Sequence, residues 1–464
     1  MAAAAIFWAP VPVAAVGALA LVVLATRAPL PALCLIVLSL PFYLLDRHFG
    51  RVQFSPTEIL IVLCSLAGAL RAGRVLVGRG LIPLPPLHLR WRGGVVSPSP
   101  SEMERGPGGE ATSHLLGDPA IAGLVVLVVL AGLASLTASV AFHESLRSFR
   151  TIILEPAAFY FLVVTQVRDR RGACALALAL VLAGVAISLV GFWQYATDQR
   201  IITAEEDLRR IRAFYGSPNN LGLFLGRALP MTVALWLWWK RGRPLLLIAA
   251  LMMAAALVLT FSVGAWVAVA ISLLLIAALR GRETLKVAVG VGAVGLIVVA
   301  VAALKVPRIG SHVDLRNGTS LERLLIWQSA LRMLAVHPIR GIGLDNFLYY
   351  YQHGYQLPAA WREPDQSHPH NLVLDFWLSL GLPGVLALGM LLGRFVESVV
   401  ERWRASGPLE RGLYAGAVGS MADTVLHGFV DNSFFLPDLA VLFWLMFAIV
   451  AVIQPSYPDH RESP

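Results

Sequence analysis

Apolar runs of membrane-spanning length recur from one end of this chain to the other, and no other feature constrains its fold as tightly. A stretch of about 20 apolar residues crosses a bilayer core as a helix, which satisfies its own backbone hydrogen bonds there. Such runs lie near residues 5–26, 29–46, 55–71, 119–138, 150–167, 173–195, 219–239, 244–261, 263–280, 285–304, 371–392, 412–430 and 433–453. Pro10, Pro12, Pro31 and Pro41 interrupt the earliest of them, and Glu58 sits inside the third. The expectation is an all-α, polytopic integral membrane protein with about 12–14 transmembrane helices. Composition excludes a string of soluble domains: 57% of residues are hydrophobic and 14% charged, against roughly 25% charged in soluble proteins. The N-terminus lacks a charged segment and a clean cleavage site, so it reads as a retained helix.

The formal charge of +9 gathers in short loops, "RDRR" (168–171), "KRGR" (240–243), "RGRETLK" (280–286) and part of 393–411. Counting spans puts all of these on one side, the cytoplasmic side by the positive-inside rule, together with the C-terminus. Segments 46–54, 139–149, 196–218 and 305–369 then face outside. Basic clusters this short, each flanking a span, do not make a nucleic-acid surface, so no nucleic-acid partner is expected. Cys34, Cys64 and Cys174 fall inside apolar runs and suggest neither a disulfide framework nor a metal site.

The expected organisation is N-terminal transmembrane helices (1–71), a cytoplasmic Pro/Gly/Arg-rich loop (72–118) and central transmembrane helices (119–304). A large outside loop (305–370), C-terminal transmembrane helices (371–453) and a cytoplasmic tail (454–464) follow. Two outside segments carry capping boxes. Thr203 and Glu206 open a short charged helix ending at Gly216, and Thr319 and Glu322 open an amphipathic helix that stops before Pro338. The second is expected to lie on or dip into the membrane surface.

Chemistry concentrates where the large loop enters a span, in "SHPHNLVLDFWLSLGLPGVLAL" (367–388). His368, His370 and Asn371 stand at a water–lipid boundary, and imidazole is the side chain best suited to moving protons near neutral pH. Two readings stay open on the residues alone: a general base for an alcohol nucleophile, or a histidine that caps the helix. A metal centre fits poorly, because His337, His353, His368 and His370 match no ligand spacing.

Anion candidates are the arginines, whose planar forks bind phosphate bidentately. Arg323 lies near a helix start and one turn from Trp327; a solvated pair with Glu322 is the competing account. Arg212 ends the other outside segment beside Arg209 and Arg210. Arg147 and Arg150 are weaker candidates, since snorkelling explains them as well. Glu155, Asp375, Asp423, His427 and Asp431 lie within or at the ends of spans and should face the protein interior. A secondary transporter or flippase for a lipid-linked or anionic substrate is the competing functional class.

Taken together, these residues resemble the O-antigen ligase/polymerase superfamily of bacterial membrane glycosyltransferases. The most specific element is a His-Asn-x9-Gly-x-x-Gly pattern, met by His370-Asn371, Gly381 and Gly384. "RAFYGSPNNLG" (212–222), "TFSVGAWVAV" (260–269), "RLLIWQSAL" with "HPIRGIGLDNF" (323–347) and "HGFVDN" (427–432) extend the likeness. Trp327, where ligases often carry Leu, and Val263, where many relatives carry Arg, depart from it.

The resemblance implies a donor glycan on undecaprenyl pyrophosphate, transferred to a hydroxyl of a glycan, a lipid A core or another acceptor. It places the reaction at the outer face of the inner membrane, among membrane lipids and without a metal or other cofactor. His370 matches the base or orienting histidine, and Arg212 and Arg323 match arginines that hold pyrophosphate. Asn371, His368, Trp327, Asn219 and Asp431 are the further substrate-binding candidates.

Overall fold

A computed structural model describes residues 11–45, 47–49, 52–78, 118–199, 201–203, 209–305, 318–361 and 364–453. Every apolar run of the sequence is met by a helix among the described residues. The first are α1 (Val11–Arg27), α2 (Pro29–Ser39), α3 (Pro56–Gly78) and α4 (Pro119–Ser135). Next come α5 (Phe142–Ser148), a π-helical turn (Phe149–Leu154) and α6 (Glu155–Gln166), which together form one rod. They are followed by α7 (Arg170–Thr197), α8 (Pro218–Trp238), α9 (Arg243–Leu259), α10 (Val263–Arg280) and α11 (Arg282–Lys305). The remainder are α12 (Gly318–Val336), α13 (Phe347–Tyr350), α14 (Leu372–Trp403), α15 (Pro408–Gly428) and α16 (Pro437–Val452). Seven of these rods are long and apolar enough to cross a membrane, including the Phe142–Gln166 rod. Among the described residues strand is confined to two short antiparallel ribbons, β1–β2 (Arg47–Phe49 with Val52–Phe54) and β3–β4 (Ile202–Thr203 with Arg209–Arg210). The chain is an all-α polytopic membrane protein.

At its centre stand α8, α15 and α16. Nearly every residue of α16 is buried, whereas α11 exposes Val287, Val291, Val294 and Leu296. α8 and α15 meet through small residues: a Cβ on Gly416 or Gly419 would press into Met231 or Pro230. Close approach of this kind is how helices associate where lipid removes the hydrophobic drive. A fully buried ion pair, Arg227 to Asp423 at 2.8 Å, ties the same two helices. Arg227 also donates to the Ser433 carbonyl (3.0 Å) and so holds the turn between α15 and α16.

The expected charged helix after Thr203 is not formed at either end. Thr203 pairs across a ribbon with Arg209, and Arg210 is strand as well; residues 204–208, with Glu206, lie outside those described. Tertiary contacts override local helix propensity here. Arg210 turns inward and donates to the Thr260 carbonyl (2.8 Å) and to Asn219 Oδ1 (2.9 Å), while the Ile211 N–H donates to Leu259 O. A helix does lie at the second motif: α12 begins at Gly318, one residue before Thr319, and ends at Val336 just before Pro338. Its inner face, Ile326, Ala330, Met333 and Leu334, packs with Leu378 of α14 and with Phe347 and Tyr351. The proposed loop 72–118 starts late, because α3 runs to Gly78; residues 79–117 and the tail from 454 lie outside the described residues.

The first glycine of the motif has a structural explanation. α14 is broken at Gly381, whose φ of 70° and ψ of −171° leave the helical region. Into the break fits the turn after α12. Ile342 N–H donates to the freed Leu378 carbonyl (2.7 Å), and Leu382 N–H donates to Ile339 O (2.9 Å). Trp377 Nε1–H adds a bond to Pro338 O (2.7 Å). Gly341, also at positive φ, stands against Leu378 O, where any side chain would collide. Glycine alone serves at both positions, for conformation and for room.

Candidate active site

His370 precedes α14 in a left-handed conformation (φ 48°) that non-glycine residues rarely adopt. Asn371, not a histidine, caps the helix: its Oδ1 accepts the N–H groups of Val373 and Leu374, 3.1 Å each. That removes the capping role from His370 and leaves its ring for other work. The Asn371 amide also donates to Phe429 O (3.3 Å), joining α14 to the end of α15.

Nδ1 of His370 lies 2.9 Å from Asp431 Oδ1, on the turn beyond α15. The carboxylate is 6% exposed and the imidazole 30%, so the pair sits at the rim with its acid turned inward. Asp431 Oδ1 also accepts the Asn432 N–H (2.8 Å), while Oδ2 has no hydrogen-bond partner among the described residues. Burial by itself would push this carboxyl up. The His370 hydrogen bond and the charges of His370, His427 and Arg323 outweigh it and hold the acid well below the usual carboxylate range. A carboxylate at Nδ1 fixes that nitrogen as the N–H and leaves Nε2 as the basic one. Nε2 lies 3.1 Å from Gln366 Oε1. As oriented, that amide suits a protonated Nε2; rotated by half a turn, its N–H would meet a neutral one.

His368 sits beside this pair. Burial, followed by the His370 charge, lowers its imidazole to about 4, so it is neutral at pH 7. Its Nδ1 is 3.6 Å from Asp375 Oδ2, which has no hydrogen-bond partner among the described residues. The two groups line a cavity of about 160 Å³ with Ser148, Asp345, Ser379 and Phe435. No cation lines it.

The sequence candidates fall into two groups. His370 and Asp431 are in contact, His368 and Asn371 flank them, and the Arg323 charge bears on Asp431. One turn along α12, the indole Nε1 of Trp327 is buried and has no acceptor among the described residues. Arg212 and Asn219 make local contacts instead, Arg212 to the Gly216 carbonyl (3.2 Å) and Asn219 to Arg210. Their segment reaches the same end of the bundle through α10. Gly222 packs on Ser262 and Ala265, and Gly264 packs on His427 and Val430. Arg150 is already balanced by Glu58 and Glu155, 3.4 Å each, and lies over the Phe54 ring. Sequence reasoning did not give Asp431 its contact with His370, nor single out Gln366. The signal for Asp431 was its place in "HGFVDN", which says nothing of a partner 61 residues earlier.

Residues 248–389 match the family model described as O-antigen ligase. The matched stretch contains Arg323, Trp327, His368, His370, Asn371, Gly381 and Gly384; Arg212, Asn219 and Asp431 lie outside it. No curated protein matches the chain.

Proposed function

We propose that the chain, whose residues 248–389 match the O-antigen ligase family model, moves a glycan from undecaprenyl pyrophosphate to an acceptor hydroxyl at the outer face of the bacterial inner membrane. The observation that carries this reading is the His370–Asp431 pair at the rim of a membrane helix bundle. Nε2 of His370 takes the proton of the acceptor hydroxyl as its oxygen bonds the anomeric carbon. The bond from that carbon to the pyrophosphate oxygen breaks, and its electron pair leaves with the pyrophosphate. Asp431 keeps Nδ1 protonated and stabilises the imidazolium that forms. A positioned base of this kind contributes roughly 10²–10⁴-fold.

Arg323 is the guanidinium best supported for the leaving group, because it shares an electrostatic neighbourhood with Asp431 and heads a helix docked on α14. Fixed cations stabilise developing negative charge with little reorganisation. Arg212 is the second such candidate, with Asn219 beside it holding the ribbon. The cation-free cavity between His368, Asp375 and Asp345 suits a polyhydroxyl group, since carboxylate and hydroxyl oxygens accept sugar O–H bonds. Gln366 must leave Nε2 for the acceptor to reach it. A glycan, a lipid A core and other hydroxyl acceptors all meet this chemistry.

The test is His370→Ala in proteoliposomes supplied with lipid-linked glycan and acceptor. Transfer is expected to fall to background while the variant inserts and melts like wild type. Transfer at the wild-type rate would remove His370 from the chemistry.

A further inference from the structure

At the end of the bundle opposite His370, a second cavity of about 250 Å³ opens between the ends of α8, α9, α10 and α15. The length of α15 alone puts roughly 30 Å between the two ends. Lys240 and Arg243 from one loop, Arg280 and Arg411 converge on this cavity from three separate points in the chain, and among the described residues no carboxylate lines it. The nearest acid in sequence, Glu410, is buried and taken by Arg170 at 2.7 Å. Among the described residues none of the four cations has a carboxylate within 4.0 Å.

Tryptophans hold three of these cations, the arginines, in place. The Arg243 guanidinium lies over Trp236 (5.3 Å), Arg280 over Trp238 (5.4 Å) and Arg411 over Trp403 (6.0 Å). Trp238 and Trp403 meet edge to face, 6.2 Å apart, and tie the stacked arginines to one floor. Stacking fixes a guanidinium by its π-face and leaves the N–H groups at its edge for an anion; Arg411 gives two of its own to the carbonyls of Trp403 and Arg404, 3.4 Å each. A solvated topogenic loop needs none of this: the positive-inside bias asks for charge, not for walls. Four cations held close together without a counterion lack one thing, an anion that bridges them. Basic pockets between membrane helices at the headgroup level bind anionic lipid heads in this way.

We propose that this pocket binds a phosphate group, and specifically the phosphodiester head of an anionic phospholipid in the leaflet opposite the active site. The indole floor supplies the apolar contact that a glycerol backbone and acyl chains would cover, which free phosphate cannot use.

The experiment uses the full chain in nanodiscs of phosphatidylcholine with or without phosphatidylglycerol, read by retained lipid in native mass spectrometry and by melting temperature. Wild type should keep phosphatidylglycerol in preference to phosphatidylcholine and melt higher in its presence. Arg243→Gln combined with Arg280→Gln should lower that retention at least tenfold and melt like wild type in phosphatidylcholine alone. Arg282→Gln, a cation outside the pocket, should leave retention unchanged. Equal retention of the two lipids, or an equal loss in Arg282→Gln, would overturn the site in favour of diffuse surface charge. Inorganic phosphate in detergent is the separating arm: stabilisation by phosphate alone, equal to that by phosphatidylglycerol, would overturn the lipid assignment.

Discussion

Replacing Asp431 by Asn separates two things the carboxylate does for His370, holding its tautomer and stabilising its charge. The structure decides which survives. Oδ1 receives the His370 Nδ1–H and also the backbone N–H of Asn432 at 2.8 Å. An asparagine amide therefore keeps its oxygen at that point, because the NH2 group would face a backbone donor there. The tautomer is retained, the NH2 takes the unpartnered Oδ2 position, and only the charge is lost. Two unit charges about 4 Å apart at an effective dielectric near 20 interact by about 4 kcal/mol, or roughly 10³ in rate. With the proton half transferred in the transition state, the loss is about 30-fold. Asp431→Asn should thus lower kcat in proteoliposomes by about 30- to 1,000-fold, with the KM for lipid-linked donor little changed. A variant within threefold of wild type would refute the role given to this pair.

Other outcomes follow from the same geometry. Arg323→Lys keeps the charge and loses the bidentate fork, so donor KM should rise at least tenfold; an unchanged donor affinity would detach Arg323 from the leaving group. Gly381→Ala places a Cβ against the Ile339 carbonyl at positive φ, and the backbone conformation alone costs about 1–2 kcal/mol. Its melting temperature in detergent and its transfer rate should both drop, and wild-type values for both would show that the break in α14 tolerates a side chain. His368, lowered from 6.5 to about 4, binds a proton in the unfolded chain before it does so in the folded one. Stability should therefore fall as pH drops from 6.5 toward 4, by at most about 3 kcal/mol from this group. His368→Gln should flatten that acid loss, and an unchanged slope would mean His368 is not held neutral by burial.

How much of this was readable in the sequence depends on the range of the interaction. The spans were legible because apolar runs report membrane helices residue by residue, and α12 was legible because the start signal near Thr319 and the stop before Pro338 are local. The segment after Thr203 was misread as helix for the same reason: its charges favour a helix locally. What decides the ribbon is Arg210 reaching Thr260, 50 residues away. At the site, His370, Asn371 and Arg323 stood out from boundary position, motif and chemistry. The contact with Asp431 depends on α14 and α15 running antiparallel, and no local pattern carries that. The glycine spacing was visible as a motif, but its physical reason, the docking of residues 338–342 into a broken helix, required the fold.

The bonds that seal this break divide the molecule mechanically. Leu378 O to Ile342 N, Leu382 N to Ile339 O and Trp377 to Pro338 weld the end of α12 to the first turns of α14. Arg323 and His370 thus ride on one block, and tilting it as a long lipid enters leaves their spacing intact. Asp431 rides on another block, clamped to α8 through Arg227 and Ser433 O. The seam between the blocks is crossed by the hydrogen bonds His370–Asp431 and Asn371–Phe429 O and by the Phe376 ring against Phe434 and Phe435, so relative motion is felt at the proton-accepting imidazole.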